Sequence, residues 1–204
     1  MISSTSPLGL GSASPRRRAL LEQLGIPLVV LTADVDERAR DGEDPTDYLE
    51  RITRDKFVSV ASDRRAERAS VLLVADTVVV VDGEILGKPQ NIEQARAMLE
   101  RLSGRAHEVR TRFALGPPHG KDSAAIVHAE TVCTSVEFRR LSSLAVARYA
   151  ATGEGLDKAG AYAIQGIGSF AVHRIHGSYP NVVGLPVCEL VAALELHGFI
   201  SSFP

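Results

Sequence analysis

The run VLLVADTVVVVDGEILGKP, residues 71–89, constrains the fold of this chain more than any other segment. It holds two strongly β-forming, largely β-branched stretches, which are typical of strands buried in the centre of a sheet, and Asp82-Gly83 predicts a turn after them. One acid, Asp76, separates the two stretches, and an ionised carboxylate there is costly unless it is paired, hydrogen-bonded or bound to a metal. We therefore interpret Asp76 as a site residue; the alternative is a strand-end aspartate that reaches solvent or caps a turn.

The rest of the chain alternates predicted helices with predicted strands, which favours a single mixed α/β domain with a mixed sheet. Its 204 residues, 45% of them hydrophobic, suffice for a sizeable core, and no internal repeat or long linker divides them. Helices are predicted from Pro15 to a stop at Gly25, from Pro45, over 91–102, over 142–151 and from Pro186. Strands are predicted at 26–32, 105–115, 124–139 and 171–177, and a Gly/Pro-rich loop, 116–123, joins the middle pair.

Charge and cysteine content exclude several classes of protein. The net charge of −2 gives no overall basic field, so we expect no nucleic-acid binding, DNA included, and no attachment to a membrane surface. There is no stretch of about 18 consecutive apolar residues and no charged leader followed by an apolar core, which predicts a cytoplasmic protein. The cysteines, Cys133 and Cys188, match no metal or redox spacing and are predicted to be reduced thiols in the core.

The segment GSASPRRR, residues 11–18, predicts a site for an anion. Ser14 is a good N-cap and Pro15 a good first residue of a helix, which puts Arg16 and Arg17 in a first turn that already carries partial positive charge. Such a turn suits an anion held jointly by backbone N–H groups, serine hydroxyls and guanidinium groups. The alternative is a solvated basic turn.

Other charged residues indicate that the anion is a phosphate compound bound together with a divalent metal. The acidic turn with Asp34, Asp36 and Glu37 offers oxygen ligands for a hard cation, although a plain polar loop is the alternative. Neither GxxxxGK(S/T) nor GxGxxG after a strand is present, so no Walker or Rossmann phosphate site is expected. The histidines lack the helical pairing of a zinc hydrolase. Lysines that could contact phosphate are Lys56, Lys88 and Lys158.

Five motifs, in order, resemble the Maf family of nucleoside triphosphate pyrophosphatases: GSASPRRRALLEQLGI, VDE, LVADTVVVVDGEILGKP, LSGRAHEVRT and LDKAGAYAIQGIGSF with GSYPNVVGLPV. The resemblance implies an elongated α/β fold like that of the inosine triphosphate pyrophosphatases, with a cleft between two lobes. It also implies a domain over residues 9–198 after an N-terminal extension, 1–8, a Mg²⁺ or Mn²⁺ ion, and a homodimer. The implied reaction cuts a nucleoside triphosphate between the α- and β-phosphates and gives the nucleoside monophosphate and pyrophosphate.

The resemblance also implies roles for individual residues. Asp76 corresponds to the proton acceptor, and Glu37, with Asp76, is expected to hold the metal. Three positions said to track substrate choice, Arg16, Thr77 and Gln165, match the branch that acts on dTTP and UTP, rather than the branch that acts on 7-methylguanosine triphosphate. A binding protein of the septum and cell-division machinery with weak catalysis is the alternative, and the intact ADT and GKP motifs argue against it. The substrate-lining residues implied are Ser12, Ser14, Arg16, Arg17, Lys56, Thr77, Lys88, Lys158 and Gln165.

Overall fold

The computed structural model describes residues 1–118 and 125–203. Within these ranges seven strands form one mixed sheet in the order β2-β1-β3-β5-β6-β7, with β4 paired to β3. The strands are β1 Leu8–Gly11, β2 Leu28–Leu31, β3 Val71–Val81, β4 Glu84–Leu86, β5 Ala106–Gly116, β6 His128–Phe138 and β7 Val172–His176. The helices are α1 Pro15–Gln23, α2 Pro45–Ala61, α3 Ile92–Leu102, α4 Ser143–Ala151, α5 Tyr179–Val183 and α6 Val187–Leu196. The mixed α/β prediction is confirmed.

Strand β3 lies in the interior of the sheet, and it is continuous through Asp76. The two β-forming stretches on either side of the acid thus belong to one strand: antiparallel pairing with β5 runs through this position and supports the backbone on one side. On the other side β1 pairs in parallel only as far as Leu73, and β4 pairs in antiparallel fashion only from Val79. The middle of β3, with Asp76 in it, thus faces a gap between two neighbouring strands.

Two large apolar clusters lie at opposite ends of β3. Val71, Leu73 and Ala75 pack in a cluster with residues of β1, α1 and α6. Val79 and Val81 pack in another cluster with residues of α3, α4 and β6. The gap at Asp76 lies between these two packed regions, which confirms the predicted arrangement of one domain with a central cleft.

Local signals in the sequence placed most elements correctly. Ser14 caps α1 by accepting a hydrogen bond from the Arg17 N–H at 3.4 Å, as predicted. Asp82 and Gly83 both have positive φ, 55° and 79°, which is typical of the tight turn between antiparallel strands. Strand β1 was missed, because its glycines give little β signal.

Close packing explains why position 11 is a glycine. A Cβ there would lie 2.6 Å from a side-chain carbon of Val60 and 2.7 Å from one of Val74. The end of β1 can therefore approach α2 and β3 closely only without a side chain.

Three predictions about the rest of the chain have different outcomes. Both cysteines are free, as predicted, but Cys133 and Cys188 are exposed, so their placement in the core is wrong. Cys133 lies on β6 and Cys188 on α6, both on faces turned away from the apolar clusters.

The predicted loop at 116–123 falls mostly outside the described residues. The division into an extension, residues 1–8, and a domain, residues 9–198, stays a prediction. None of the helices in the described ranges has the length and apolar character needed to span a membrane.

Candidate active site

A cavity of about 830 Å³ opens at the gap beside β3. The start of α1, the middle of β3, the segment after β4 and the segments 157–165 and 182–184 form its wall. The structure brings all the predicted site residues to this one cavity, although they are spread over more than three quarters of the chain. They are Ser12, Ser14, Arg16, Arg17, Glu37, Lys56, Asp76, Thr77, Lys88, Lys158 and Gln165.

An alternating chain of acids and lysines crosses the floor of the cavity. The Lys56 Nζ lies 2.5 Å from Asp76 Oδ1 and 2.7 Å from Glu37 Oε1, and Lys88 Nζ lies 2.7 Å from Glu37 Oε2. Asp76 and Lys56 are both buried, with 7% and 6% of their surface exposed. Lys56 reaches this position because it lies on the buried face of α2 with Ile52. The buried carboxylate on β3 is therefore paired, as its cost in an apolar strand requires.

The charge of Glu37 is fixed by the same lysines. Burial raises the pKa of this carboxyl, but hydrogen bonds from Lys56 and Lys88 outweigh burial and bring the pKa down to about 2. Glu37 is therefore a carboxylate throughout the neutral range. Its backbone carbonyl also accepts a hydrogen bond from the Tyr48 hydroxyl at 2.9 Å, which holds the acidic turn against α2.

Glu37 and Asp76 are suited to a metal ion that takes its other ligands from a substrate. No group of three or more His, Cys, Asp or Glu side chains in the described ranges is placed to hold a metal by itself. However, one oxygen of each carboxylate lies within 2.7 Å of the same Lys56 nitrogen. One or two carboxylates completed by phosphate oxygens are the usual protein site for Mg²⁺.

The other acids of the predicted cation-binding turn do not join the cavity wall. Asp36 accepts hydrogen bonds from the Arg38 side chain, the closest at 2.9 Å, and these lower the pKa of Asp36 to about 2. Asp34 and Asp36 are absent from the described lining of the cavity. For these two residues the plain polar loop is the correct interpretation.

The two arginines of the first helical turn have different surroundings. Arg17 is buried, and its guanidinium donates to the carbonyl oxygens of Gly184 and Ala75 at 2.7 and 2.8 Å, and to the hydroxyls of Ser12 and Thr77 at 3.2 and 3.0 Å. Burial lowers the pKa of Arg17, while Asp76 and Glu37 counter this shift. Arg17 thus ties the start of α1 to β3 and to the segment after α5.

Arg16 faces the cavity with fewer partners. Its side chain is 30% exposed, and the nearest acid, Asp157, is 3.9 Å away. Next to it, Ser12 Oγ accepts hydrogen bonds from the Ser14 N–H and from Arg17, both at 3.2 Å, so its own proton can be donated elsewhere. This end of α1 presents positive charge and donors to the cavity.

Lys158 lies near Arg16, because Asp157 is 3.9 Å from Arg16 and 2.5 Å from Lys158. Its Nζ donates to the Glu154 carbonyl oxygen at 2.6 Å and to Asp157 Oδ1 at 2.5 Å. Only 15% of the Lys158 side chain is exposed, so these bonds hold the ammonium group at the rim of the cavity.

Glu154 fixes the segment that carries Gln165, and sequence reasoning missed this residue. Its carboxylate accepts hydrogen bonds from the N–H groups of Ile167 and Gly168 at 2.9 and 2.8 Å, and from the Tyr149 hydroxyl at 2.8 Å. That hydroxyl in turn accepts from the Ala163 N–H at 3.2 Å. Residues on both sides of Gln165 are therefore anchored to α4 and the turn that follows it. A glutamate in a glycine-rich loop gave no signal for this role.

The chain is similar in sequence to known proteins over nearly its whole length. A family model described as Maf-like protein matches residues 7–197. A dTTP/UTP pyrophosphatase of Anaeromyxobacter dehalogenans (strain 2CP-C) is 48% identical over 195 residues, which is 94% of each chain. A dTTP/UTP pyrophosphatase of Myxococcus xanthus (strain DK1622) is 50% identical over 191 residues, covering 94% of this chain and 92% of the relative.

Among solved structures, a nucleoside-triphosphatase / dITP/XTP pyrophosphatase from Mycobacterium abscessus aligns with 95% of this chain and 97% of its own. The sequence identity is 16% and the TM-score is 0.44.

Proposed function

The chain belongs to the Maf family, and from that premise we propose that it hydrolyses dTTP and UTP to the nucleoside monophosphate and pyrophosphate. The observation that carries this function is the convergence of Asp76, Lys56, Glu37 and Lys88 with the start of α1 around one cavity. The acid, the lysines and the helix end together suit a polyanion and a water molecule. A binding role in cell division is not favoured, because a buried ion-paired acid inside a β-strand has no use in a plain docking surface.

The triphosphate lies along the positive wall of the cavity in this proposal. The phosphate chain contacts Ser12, Arg16 and the first turn of α1, together with Lys158 beside Arg16 and Lys88 beside Glu37. Arg17 contributes charge but acts mainly by holding this wall together, since four of its five N–H groups already have partners. Positioning and charge neutralisation supply most of the rate enhancement in phosphoryl transfer.

Asp76 accepts the proton of the attacking water. Lys56 holds its Oδ1 at 2.5 Å, which leaves Oδ2 as the oxygen that takes the proton. The water oxygen forms a bond to the α-phosphorus, the bond from that phosphorus to the bridging oxygen breaks, and pyrophosphate leaves. General-base assistance of this kind is worth roughly 10²- to 10⁴-fold in rate.

Glu37 and Asp76 would hold a Mg²⁺ or Mn²⁺ ion together with phosphate oxygens of the substrate. When bound, the ion supplies neutralisation of phosphate charge and polarisation of the phosphoryl group. A homodimer, which the family resemblance implies, and a cytoplasmic location, which the sequence analysis predicts, complete the proposal.

The base is read by Thr77 and Gln165, which line the same cavity. A glutamine amide offers one acceptor and two donors, and its donors can pair with a carbonyl on the edge of uracil or thymine. Glu154 supports this role by fixing the segment after Gln165 directly and the segment before it through the Tyr149 hydroxyl.

The test is to incubate the pure protein with Mg²⁺ or Mn²⁺ and a panel of nucleoside triphosphates, and to identify the phosphate products. We expect pyrophosphate and the nucleoside monophosphate, with dTTP and UTP preferred. Release of orthophosphate without pyrophosphate, or the absence of any turnover, would contradict the proposal.

A further inference from the structure

A chain of buried hydroxyl groups lies directly behind Thr77. The Arg17 Nη2 donates to Thr77 Oγ1 at 3.0 Å, and the hydroxyl oxygens of Thr77 and Thr111 are 2.9 Å apart. Thr111 Oγ1 in turn donates to the Asn181 carbonyl oxygen at 3.1 Å. Thr111 and Asn181 are both fully buried, so water has no access to this side of Thr77.

The direction of these hydrogen bonds follows from the number of protons. A hydroxyl carries one hydrogen and can accept at two lone pairs. The Thr111 hydrogen goes to a carbonyl, which cannot donate in return, so Thr77 must be the donor in the Thr77–Thr111 bond. The reverse direction would break the Thr111–Asn181 bond, because Thr111 has a single hydrogen, and in the described residues it would leave the buried Asn181 carbonyl with the Gly184 N–H at 3.0 Å as its remaining donor. The forward direction satisfies both hydroxyl hydrogens.

Thr77 therefore has no hydrogen left for a ligand. One of its lone pairs is occupied by Arg17, and the other remains for the cavity that Thr77 lines. Gly184 lies next to this oxygen, and its φ of +126° disfavours any side chain at that position. Thr77 presents an acceptor to the base and no donor.

We infer that Thr111 is a positioning residue that makes Thr77 an obligate hydrogen-bond acceptor, so that the cavity selects a pyrimidine whose ring nitrogen carries a hydrogen. Uracil and thymine have such an N3–H, whereas cytosine presents N3 as an acceptor and would face the lone pair of Thr77. The inference rests on the proposed function, which takes a pyrimidine nucleoside triphosphate as the substrate.

The test compares UTP with CTP in Thr111→Val, which keeps the shape of the side chain and removes its hydroxyl. The Thr77 hydrogen then loses its acceptor and can turn toward the cavity, where it can donate to N3 of cytosine. We expect the ratio of kcat/KM for UTP to that for CTP to fall at least about 5-fold, the lower end of what an unpaired buried polar group costs. Thr111→Ser keeps the hydroxyl and should restore the ratio.

The matched control is Thr134→Val. Thr134 is also fully buried, and its hydroxyl bonds to Asn181 Nδ2 at 3.0 Å and to Ser178, but it has no bond to Thr77. We expect this variant to lose thermal stability and to keep the UTP to CTP ratio. If Thr111→Val does not fold, Thr77→Val replaces it, and a greater loss for UTP than for CTP is expected.

An unchanged ratio in folded Thr111→Val overturns the inference, and so does an equal change in Thr134→Val or an equal loss for both substrates in Thr77→Val. These results leave the proposed function standing as long as the unmodified protein turns over UTP. Failure of the unmodified protein to hydrolyse dTTP and UTP would instead refute the proposed function.

Discussion

Lys56→Met should destabilise the protein strongly, because it leaves two carboxylates facing each other across the cavity floor. Lys56 Nζ contacts Asp76 at 2.5 Å and Glu37 at 2.7 Å, and Asp76 is only 7% exposed. Removing one partner of a buried ion pair typically costs about 3 to 5 kcal/mol, because the remaining charge is buried without compensation. We expect a loss in this range in urea denaturation at about pH 8.

The pH dependence makes this prediction specific. A buried carboxylate without a partner is relieved when it takes up a proton, so the loss of stability in Lys56→Met should be smaller at about pH 5 than at about pH 8. Lys88→Met is the matched control, because the Lys88 side chain is 59% exposed and, among the described residues, forms its ion pair with Glu37 alone. Exposed ion pairs of this kind contribute about 0 to 1 kcal/mol.

Two outcomes would refute this reasoning. One is a loss in Lys56→Met no larger than in Lys88→Met, which would mean that the buried pair carries no stability. The other is a loss that does not change between about pH 5 and pH 8, which would mean that the unpaired charge is not its cause.

Further predictions concern the arginines, the base and a buried histidine. Arg17→Lys should lower the melting temperature, since one ammonium group cannot replace four guanidinium hydrogen bonds. Arg16→Ala should instead raise KM and leave the melting temperature within about 2 °C. The opposite pattern would reverse the roles proposed for the two arginines. Gln165→Glu should lower kcat/KM for dTTP and UTP roughly 5- to 150-fold by removing donors, and unchanged kinetics would mean that Gln165 does not read the base. Burial lowers the pKa of His107 to about 4. Between about pH 6.5 and pH 4 the unfolded chain therefore takes up a proton that the folded protein does not. The stability of the protein should fall as the pH drops through this range. His107→Phe should flatten that fall in a pH series of melting temperatures, and an equally steep fall would contradict it.

The sequence predicted most of the fold because its signals are local. Ser14 and Pro15 start α1, Asn91 caps α3, and Asp82-Gly83 turns β3 into β4. Strand β1 escaped prediction because its two glycines are set by packing against α2 and β3, which no local pattern records.

A site residue could be predicted from the sequence where its residue type is unusual for the helix or strand that contains it. Asp76 in a buried strand indicated a site directly, whereas Thr111 is an ordinary strand residue. Its partners, Thr77 and Asn181, lie 34 and 70 positions away along the chain. Glu154 escaped for the same reason, because its role depends on contacts with N–H groups more than ten residues away.

The central claim is that Asp76 is the base that activates water for cleavage between the α- and β-phosphates. The most direct test is kcat/KM of Asp76→Asn with UTP, followed by pyrophosphate release, with circular dichroism to confirm that the variant is folded. Because the amide has the shape of the carboxylate and cannot accept the proton, we expect a loss of roughly 10²- to 10⁴-fold. A folded variant with activity within about threefold of the unmodified protein, less than one tenfold step in the barrier, would contradict the account.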